Sequence, residues 1–129
     1  MAKSVGIDLV EIRRIEEKVN RSGVKFLEKF CTDAELRYAN KGEADNPEWK
    51  YESIAGMYAA KEAFGKAMNT GIAKGVNLKE IEVQHDRLGN PVYQVYGSTF
   101  VRFKEAGYSN PLLSISHEGG MAVAMCIFN

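Results

Sequence analysis

Residues 112–128, LLSISHEGGMAVAMCIF, set two apolar runs on either side of Glu118-Gly119-Gly120. Leu112 to His117 reads as a strand, the double glycine as the turn after it, and Met121 to Phe128 as the returning strand. A closing hairpin of this kind makes the sheet largely antiparallel, so the expected class is α+β rather than an alternating βαβ array.

Working outward, Pro91 to Tyr96 is a further strand, and Ile81, Val83 and His85 share one face of another, with Leu88-Gly89-Asn90-Pro91 turning the chain between them. Ser98 to Ala106 is a short helix with Ser98 as its candidate cap. Asn46-Pro47-Glu48 has the form of a helix start, and a long helix follows to about Met68, ended by the loop from Asn69 to Gly75. Thr32-Asp33-Ala34-Glu35 matches a capping box, and Val24 to Phe30 is a helical piece packed through Phe26, Leu27 and Phe30. Ile12, Ile15 and Val19 make a helical stripe over Glu11 to Asn20, closed by Ser22-Gly23. Ser4 to Val10 alternates as a strand, with Val5, Ile7 and Leu9 on one face and Gly6, Asp8 and Val10 on the other.

A chain of 129 residues is expected to form a single domain spanning 1–129. Seventeen basic residues balance seventeen acidic ones, which removes the footprint of a duplex nucleic-acid binder. Cys31 and Cys126 have no zinc-ligand spacing. Cys126 is expected to be buried and Cys31, at a helix junction, to be partly exposed, both suiting a reducing compartment. No apolar leader region precedes Ser4, and the longest apolar run is the eight residues from Met121 to Phe128, so a soluble cytoplasmic protein without a membrane partner is expected.

Three features could carry chemistry: Asp8 on an apolar strand, Lys61-Glu62 with Lys66 on an Ala-rich helix, and Ser114-Ile115-Ser116-His117. Each has an ordinary reading: a turn carboxylate, an i, i+4 ion pair that stabilises a helix by about 0.2–0.5 kcal/mol, and a satisfied polar histidine. Ala55, Ala59, Glu62 and Lys66 fall at i, i+4, i+7 and i+11, where small neighbours leave room for a ligand or for a close-packed strand. A carboxylate and an ammonium there, facing a strand-borne carboxylate, suit a hydrated divalent ion beside an anionic group. Magnesium typically takes one or two protein carboxylates and completes its shell from water and phosphate oxygens.

Gly6-Ile7-Asp8-Leu9-Val10-Glu11-Ile12, the helical run Tyr58 to Ala67 (YAAKEAFGKA), Thr70-Gly71-Ile72 and Ser114-Ile115-Ser116-His117 resemble, in order and spacing over nearly the whole chain, the holo-acyl-carrier-protein synthase family, the small-chain 4'-phosphopantetheinyl transferases. The resemblance implies that family's fold, a largely antiparallel sheet against a long central helix, and a homotrimer with sites between protomers. It implies Mg²⁺-dependent transfer of 4'-phosphopantetheine from coenzyme A to a serine of apo acyl carrier protein, releasing adenosine 3',5'-bisphosphate and serving fatty acid biosynthesis.

Under the resemblance Asp8 and Glu62 are the metal ligands, and Lys66 faces the pyrophosphate. Thr70 and Gly71 are expected to bring backbone amides to phosphate, Gly89, Asn90 and Pro91 to form a turn near the adenine, and Ser116 and His117 to approach the nucleotide phosphates. The base that takes the serine proton is left open among water at the metal, Glu62 and His117. Two positions depart from the family pattern. Asn69 stands where Gly is usual, and Asn tolerates positive φ; Tyr58 stands where Trp or Phe is usual, and its hydroxyl needs a partner or solvent.

Arg14, Lys18, Arg21 and Lys25 fall at i, i+4, i+7 and i+11 with Arg13 adjacent, a basic stripe that is either a solvated helix face or a dock for an acidic partner. The resemblance implies the acidic helix of a carrier protein as that partner. Ser22-Gly23 interrupts the stripe before Lys25. A noncatalytic coenzyme A sensor and a carrier-docking module on the same fold are the alternative readings.

Overall fold

The C-terminal hairpin forms as β4 and β5, but β5 is the middle strand of its sheet and pairs with the N-terminal strand on its other edge. In the computed structural model, which describes residues 1–129, the elements are β1 (Ser4–Glu11), α1 (Ile12–Ser22), α2 (Val24–Glu28), α3 (Asp33–Ala39), α4 (Tyr51–Ala67), a 3₁₀ turn (Leu78–Glu80), β2 (Ile81–His85), β3 (Pro91–Val95), α5 (Gly97–Glu105), β4 (Leu112–Glu118) and β5 (Met121–Phe128). All pairing is antiparallel, divided into a three-stranded sheet β1-β5-β4 and a two-stranded sheet β2-β3. The expected antiparallel sheet is therefore two sheets. On β5, Ala122, Ala124, Cys126 and Phe128 are buried on one face, while Met125 on the other face is 42% exposed.

α4 crosses the larger sheet diagonally, and two glycines set the crossing. Gly56 lies against Ile115 and His117 of β4, while Gly6 of β1 lies against the backbone of Ala63 and Ala67. Ala55, Ala59, Ala60, Ala63 and Ala67 are fully buried, so the stripe of small residues serves close packing on strands, and only its polar end reaches the surface. Beyond the helix the core is aromatic: Phe64, Phe103 and Phe128 meet with centroids 4.8–5.7 Å apart.

Several boundaries differ from expectation. The long helix begins at Tyr51, not at Asn46-Pro47, because the Asn40 carboxamide accepts from the amides of Gly42 and Glu48 and Asn46 bridges to Glu43, which keeps this stretch a closed loop. Ser98 does not cap α5. The Glu80 carboxylate accepts from the amides of Ser98 and Thr99, and the Ser98 hydroxyl donates to Gly75 O at 2.8 Å. Burial raises the Glu80 pKa, yet hydrogen bonds from Asn77, Thr99 and Ser98 outweigh it and bring the group down to about 2. The capping box at Thr32–Glu35 forms as expected, and Asn69 does adopt a positive φ of 65°. Cys31 is buried, not partly exposed, because Leu27 and Phe30 fold the junction inward; burial pushes its thiol up to about 12.

Glu35 has a second task besides the cap. Its carboxylate meets the fully buried Lys61 ammonium at 2.9 Å and accepts from Val83 N at 2.8 Å, while Lys61 also donates to Leu78 O and Ile81 O. Burial pulls the Lys61 pKa down against the opposing pull of Glu35. Lys61 thus ties α4 to α3 and β2 and points away from its sequence neighbour Glu62.

Candidate functional site

Alternation along β1 turns Asp8 toward α4, on the same face as the buried Gly6. Lys66 on the last turn of α4 reaches it, donating to Asp8 Oδ1 and to Ile7 O, each at 3.0 Å. The i, i+4 pair between Glu62 and Lys66 does not form. Glu62 is half-buried with no lysine or arginine in ion-pair range, and with Asp8, Glu11, Arg14, Lys18 and Tyr58 it lines a cavity of about 260 Å³.

The donor set fits Mg²⁺. Of the three carboxylates lining this cavity, Glu11 is paired with Arg13, Lys66 occupies only one Asp8 oxygen, and Glu62 has no cationic partner. A hard ion that keeps waters and shares phosphate oxygens matches this arrangement. Arg14 and Lys18, foreseen only as part of a docking stripe, also face this cavity and add positive charge at its rim. Tyr58 sits one helical turn before Glu62. Burial first, then the Glu62 charge, raises its phenol to about 12, so the hydroxyl stays a neutral donor.

The nucleotide candidates form a different cleft, of about 230 Å³, lined by Tyr38, His85, Gly89, Pro91, Ile115 and His117 among others. His117 Nε2 lies 2.9 Å from Glu52 O, and His85 stacks on Tyr38 with centroids 4.0 Å apart. Lys50 sits over the Tyr38 ring at 4.3 Å; burial, then this ammonium, lowers the His85 pKa. Asp8 is in register with Ala124 and through it with Ile115, which puts His117 two strands across and two residues along, roughly 12 Å away. His117 thus lies in a different cleft from the Asp8 and Glu62 of its own chain.

The other expected nucleotide residues lie apart from this cleft within the protomer. Ser116 faces the side of the sheet opposite His117, as strand alternation requires. The Gly71 amide donates to Gly65 O at 3.0 Å and the Thr70 hydroxyl to Gly71 O, while the Thr70 amide makes no backbone hydrogen bond. Asn90 is held inside its turn, its amide and side chain both bonded to Asp86, so only Gly89 and Pro91 border the cleft.

On α1, Arg14, Lys18 and Arg21 are exposed along one side, and Lys18 also rests over Phe26 at 5.5 Å. Gly23, at φ 68°, breaks the helix and moves Lys25 onto α2. Arg13 pairs with Glu11 and Glu17 at 3.6 and 3.5 Å, which leaves it the least available of the five. Ile15 and Phe30 are buried in the core.

Residues 4–126 match the model of the 4'-phosphopantetheinyl transferase superfamily. The chain is 39% identical over 127 residues to the holo-[acyl-carrier-protein] synthase of Halothermothrix orenii, covering 98% of this chain and 97% of that one. It is 40% identical over 128 residues to the Treponema denticola protein of the same name, covering 98% of each. Among solved structures, the Helicobacter pylori holo-[acyl-carrier-protein] synthase in complex with coenzyme A matches with a TM-score of 0.83 at 31% identity, over 97% of this chain and 99% of that one. The Neisseria meningitidis synthase matches with a TM-score of 0.87 at 29% identity, over 100% and 99%. Since likeness in sequence and in fold runs almost from end to end, the chain belongs to the holo-[acyl-carrier-protein] synthase family of 4'-phosphopantetheinyl transferases.

Proposed function

We propose that this enzyme transfers 4'-phosphopantetheine from coenzyme A to the serine hydroxyl of an apo acyl carrier protein, with Asp8 and Glu62 as ligands of Mg²⁺. The observation that carries the reading is the cavity shared by these two carboxylates, with Lys66 bonded to Asp8 at its edge, in a member of this family. The serine oxygen bonds to the β-phosphorus as its proton passes to water, Glu62 or His117 and the bond to adenosine 3',5'-bisphosphate breaks, so negative charge grows on phosphoryl oxygens. Asp8 and Glu62 would hold Mg²⁺ there, and the ion would supply Lewis-acid stabilisation of that charge. Lys66 holds an ammonium at the same place through Ile7 O and Asp8, and Arg14 and Lys18 steer the anionic substrates in. The exposed basic side of α1 continues from this rim and suits an acidic carrier helix. No helix is long and apolar enough to cross a membrane; the cytoplasmic assignment rests on coenzyme A and the carrier as substrates.

The two clefts support a homotrimer in which the Gly89, Pro91 and His117 side of one protomer completes the Asp8 and Glu62 side of its neighbour. The outer face of the β1-β5-β4 sheet is apolar and open, with Val5, Ile7, Leu9, Leu112 and Met125 exposed by 42–62%. A contiguous patch of this kind marks an association surface. Ile7→Lys is expected to give a folded monomer by light scattering that binds coenzyme A at least about tenfold more weakly, since two lost contacts of about 1 kcal/mol each suffice. A monomer with full activity would refute the shared site.

Intact-mass spectrometry of apo acyl carrier protein incubated with the enzyme, coenzyme A and Mg²⁺ tests the main reading. A gain of one phosphopantetheine mass, abolished by EDTA, is expected. No gain with several apo carriers would favour the sensor or docking readings instead.

A further inference from the structure

The β2-β3 hairpin holds His85 in one place. This residue closes β2 opposite Pro91 of β3, and the turn between them is locked by the Asp86 carboxylate, which accepts from the amides of Leu88 and Asn90 at 2.9 Å each. The His85 ring lies flat on Tyr38, with centroids 4.0 Å apart and 9° between the planes, and the Lys50 ammonium sits 4.3 Å from the centroid of the same Tyr38 ring. Since His85 covers one face of Tyr38, Lys50 must take the other, so neither face of the tyrosine is free for a ligand. The imidazole is half-buried and lines the cleft of about 230 Å³, whose wall includes Met57, Pro91 and Ile115 and no lysine or arginine. Such a wall suits a flat heteroaromatic ring better than a phosphate. Burial, then the Lys50 charge, lowers the His85 pKa, so no imidazolium has to be desolvated when a ring covers it.

We propose that His85 is the platform on which the adenine of coenzyme A stacks, with Tyr38 and Lys50 as its backing. The inference rests on the reading that this cleft takes the nucleotide end of coenzyme A. A ring already pinned by a stacked neighbour loses little freedom when a base settles on it, so binding is not spent on ordering the side chain. Stacking of a base on an aromatic side chain depends on the π-face and not on a hydrogen-bond pattern. Another aromatic ring in place of His85 should therefore serve, whereas a methyl group should not.

The test is isothermal titration calorimetry of adenosine 3',5'-bisphosphate, the nucleotide product, into the full-length wild type, His85→Ala, His85→Phe and His117→Ala, with thermal midpoints as the check of folding. His85→Ala should bind about tenfold more weakly, the loss of one aromatic platform under a base, and His85→Phe should stay close to wild type. In transfer assays the KM of His85→Ala for coenzyme A should rise by a similar factor with kcat unchanged, because the base lies away from the reacting phosphorus and its binding is uniform through the reaction. Equal weakening in His85→Ala and His85→Phe would overturn stacking. Wild-type affinity in His85→Ala beside weakened binding in His117→Ala would overturn the platform and leave the nucleotide cleft standing. Wild-type affinity in all three variants would overturn the nucleotide cleft itself and this inference with it.

Discussion

Lys61→Met is expected to lower the free energy of unfolding by about 3–5 kcal/mol, the usual cost of breaking a buried ion pair by removing one partner. Lys61 and Glu35 are both fully buried and meet at 2.9 Å, so the substitution leaves a carboxylate in the core with no counter-charge. Two carbonyls, Leu78 O and Ile81 O, lose their ammonium donor at the same time. Domains of this kind are typically stable by about 5–15 kcal/mol, so the variant should be close to unfolding at physiological temperature. Urea denaturation measures the loss. Removing both charges, as in Lys61→Met with Glu35→Leu, should recover only part of it, because the amides of Val83 and Thr32 then lose their acceptor. A single-variant loss below about 1 kcal/mol would mean that Lys61 already sits there neutral at little cost.

Gly6→Ala should destabilise by about 3 kcal/mol through overpacking that nothing can relieve. A Cβ at Gly6 would overlap Ala63 O and approach Ala67 N to 2.7 Å, and both belong to the helix backbone, which cannot rotate aside as a side chain can. α4 must therefore shift away from β1. Asp8 lies two residues from Gly6, and Lys66 lies beside Ala67, so the same shift opens the 3.0 Å contact between them. A displacement of about 1 Å in catalytic geometry can cost about 100-fold in rate. The expected result is a lowered urea midpoint together with a comparable fall in transfer by the protein that remains folded. Wild-type stability and rate in Gly6→Ala would show that the crossing is not set at this point.

Both substitutions act where local pattern meets tertiary packing, and the same boundary divides what was readable. Residues 4–11 and 112–128 alternate or run apolar over spans as long as the strands themselves, and Thr32–Glu35 is a cap whose partners lie within one turn, so β1, β4, β5 and the start of α3 could be read in place. The family likeness carried by Gly6 to Ile12 and Tyr58 to Ala67 pointed to Asp8 and Glu62, which line one cavity, and to Lys66, which bonds Asp8. The helix-start signal at Asn46-Pro47 does not give the start of α4, because the Asn40 carboxamide accepts from the Gly42 and Glu48 amides and closes the stretch into a loop whose geometry no periodicity announces.

By itself, then, the sequence determined the class of fold, the family, and the residues able to carry charge at the site, since each depends on periodicity or on a short motif. Tertiary structure alone decided how those residues pair. Lys66 reaches Asp8 instead of Glu62, Lys61 turns into the core, Tyr58 lies beside Glu62, and His117 falls in a separate cleft from Asp8. The physical reason is the diagonal crossing of α4 over the sheet, fixed by contacts at Gly6 and Gly56: a helix repeats every 3.6 residues, but which strand each turn meets is set by the crossing and not by the repeat.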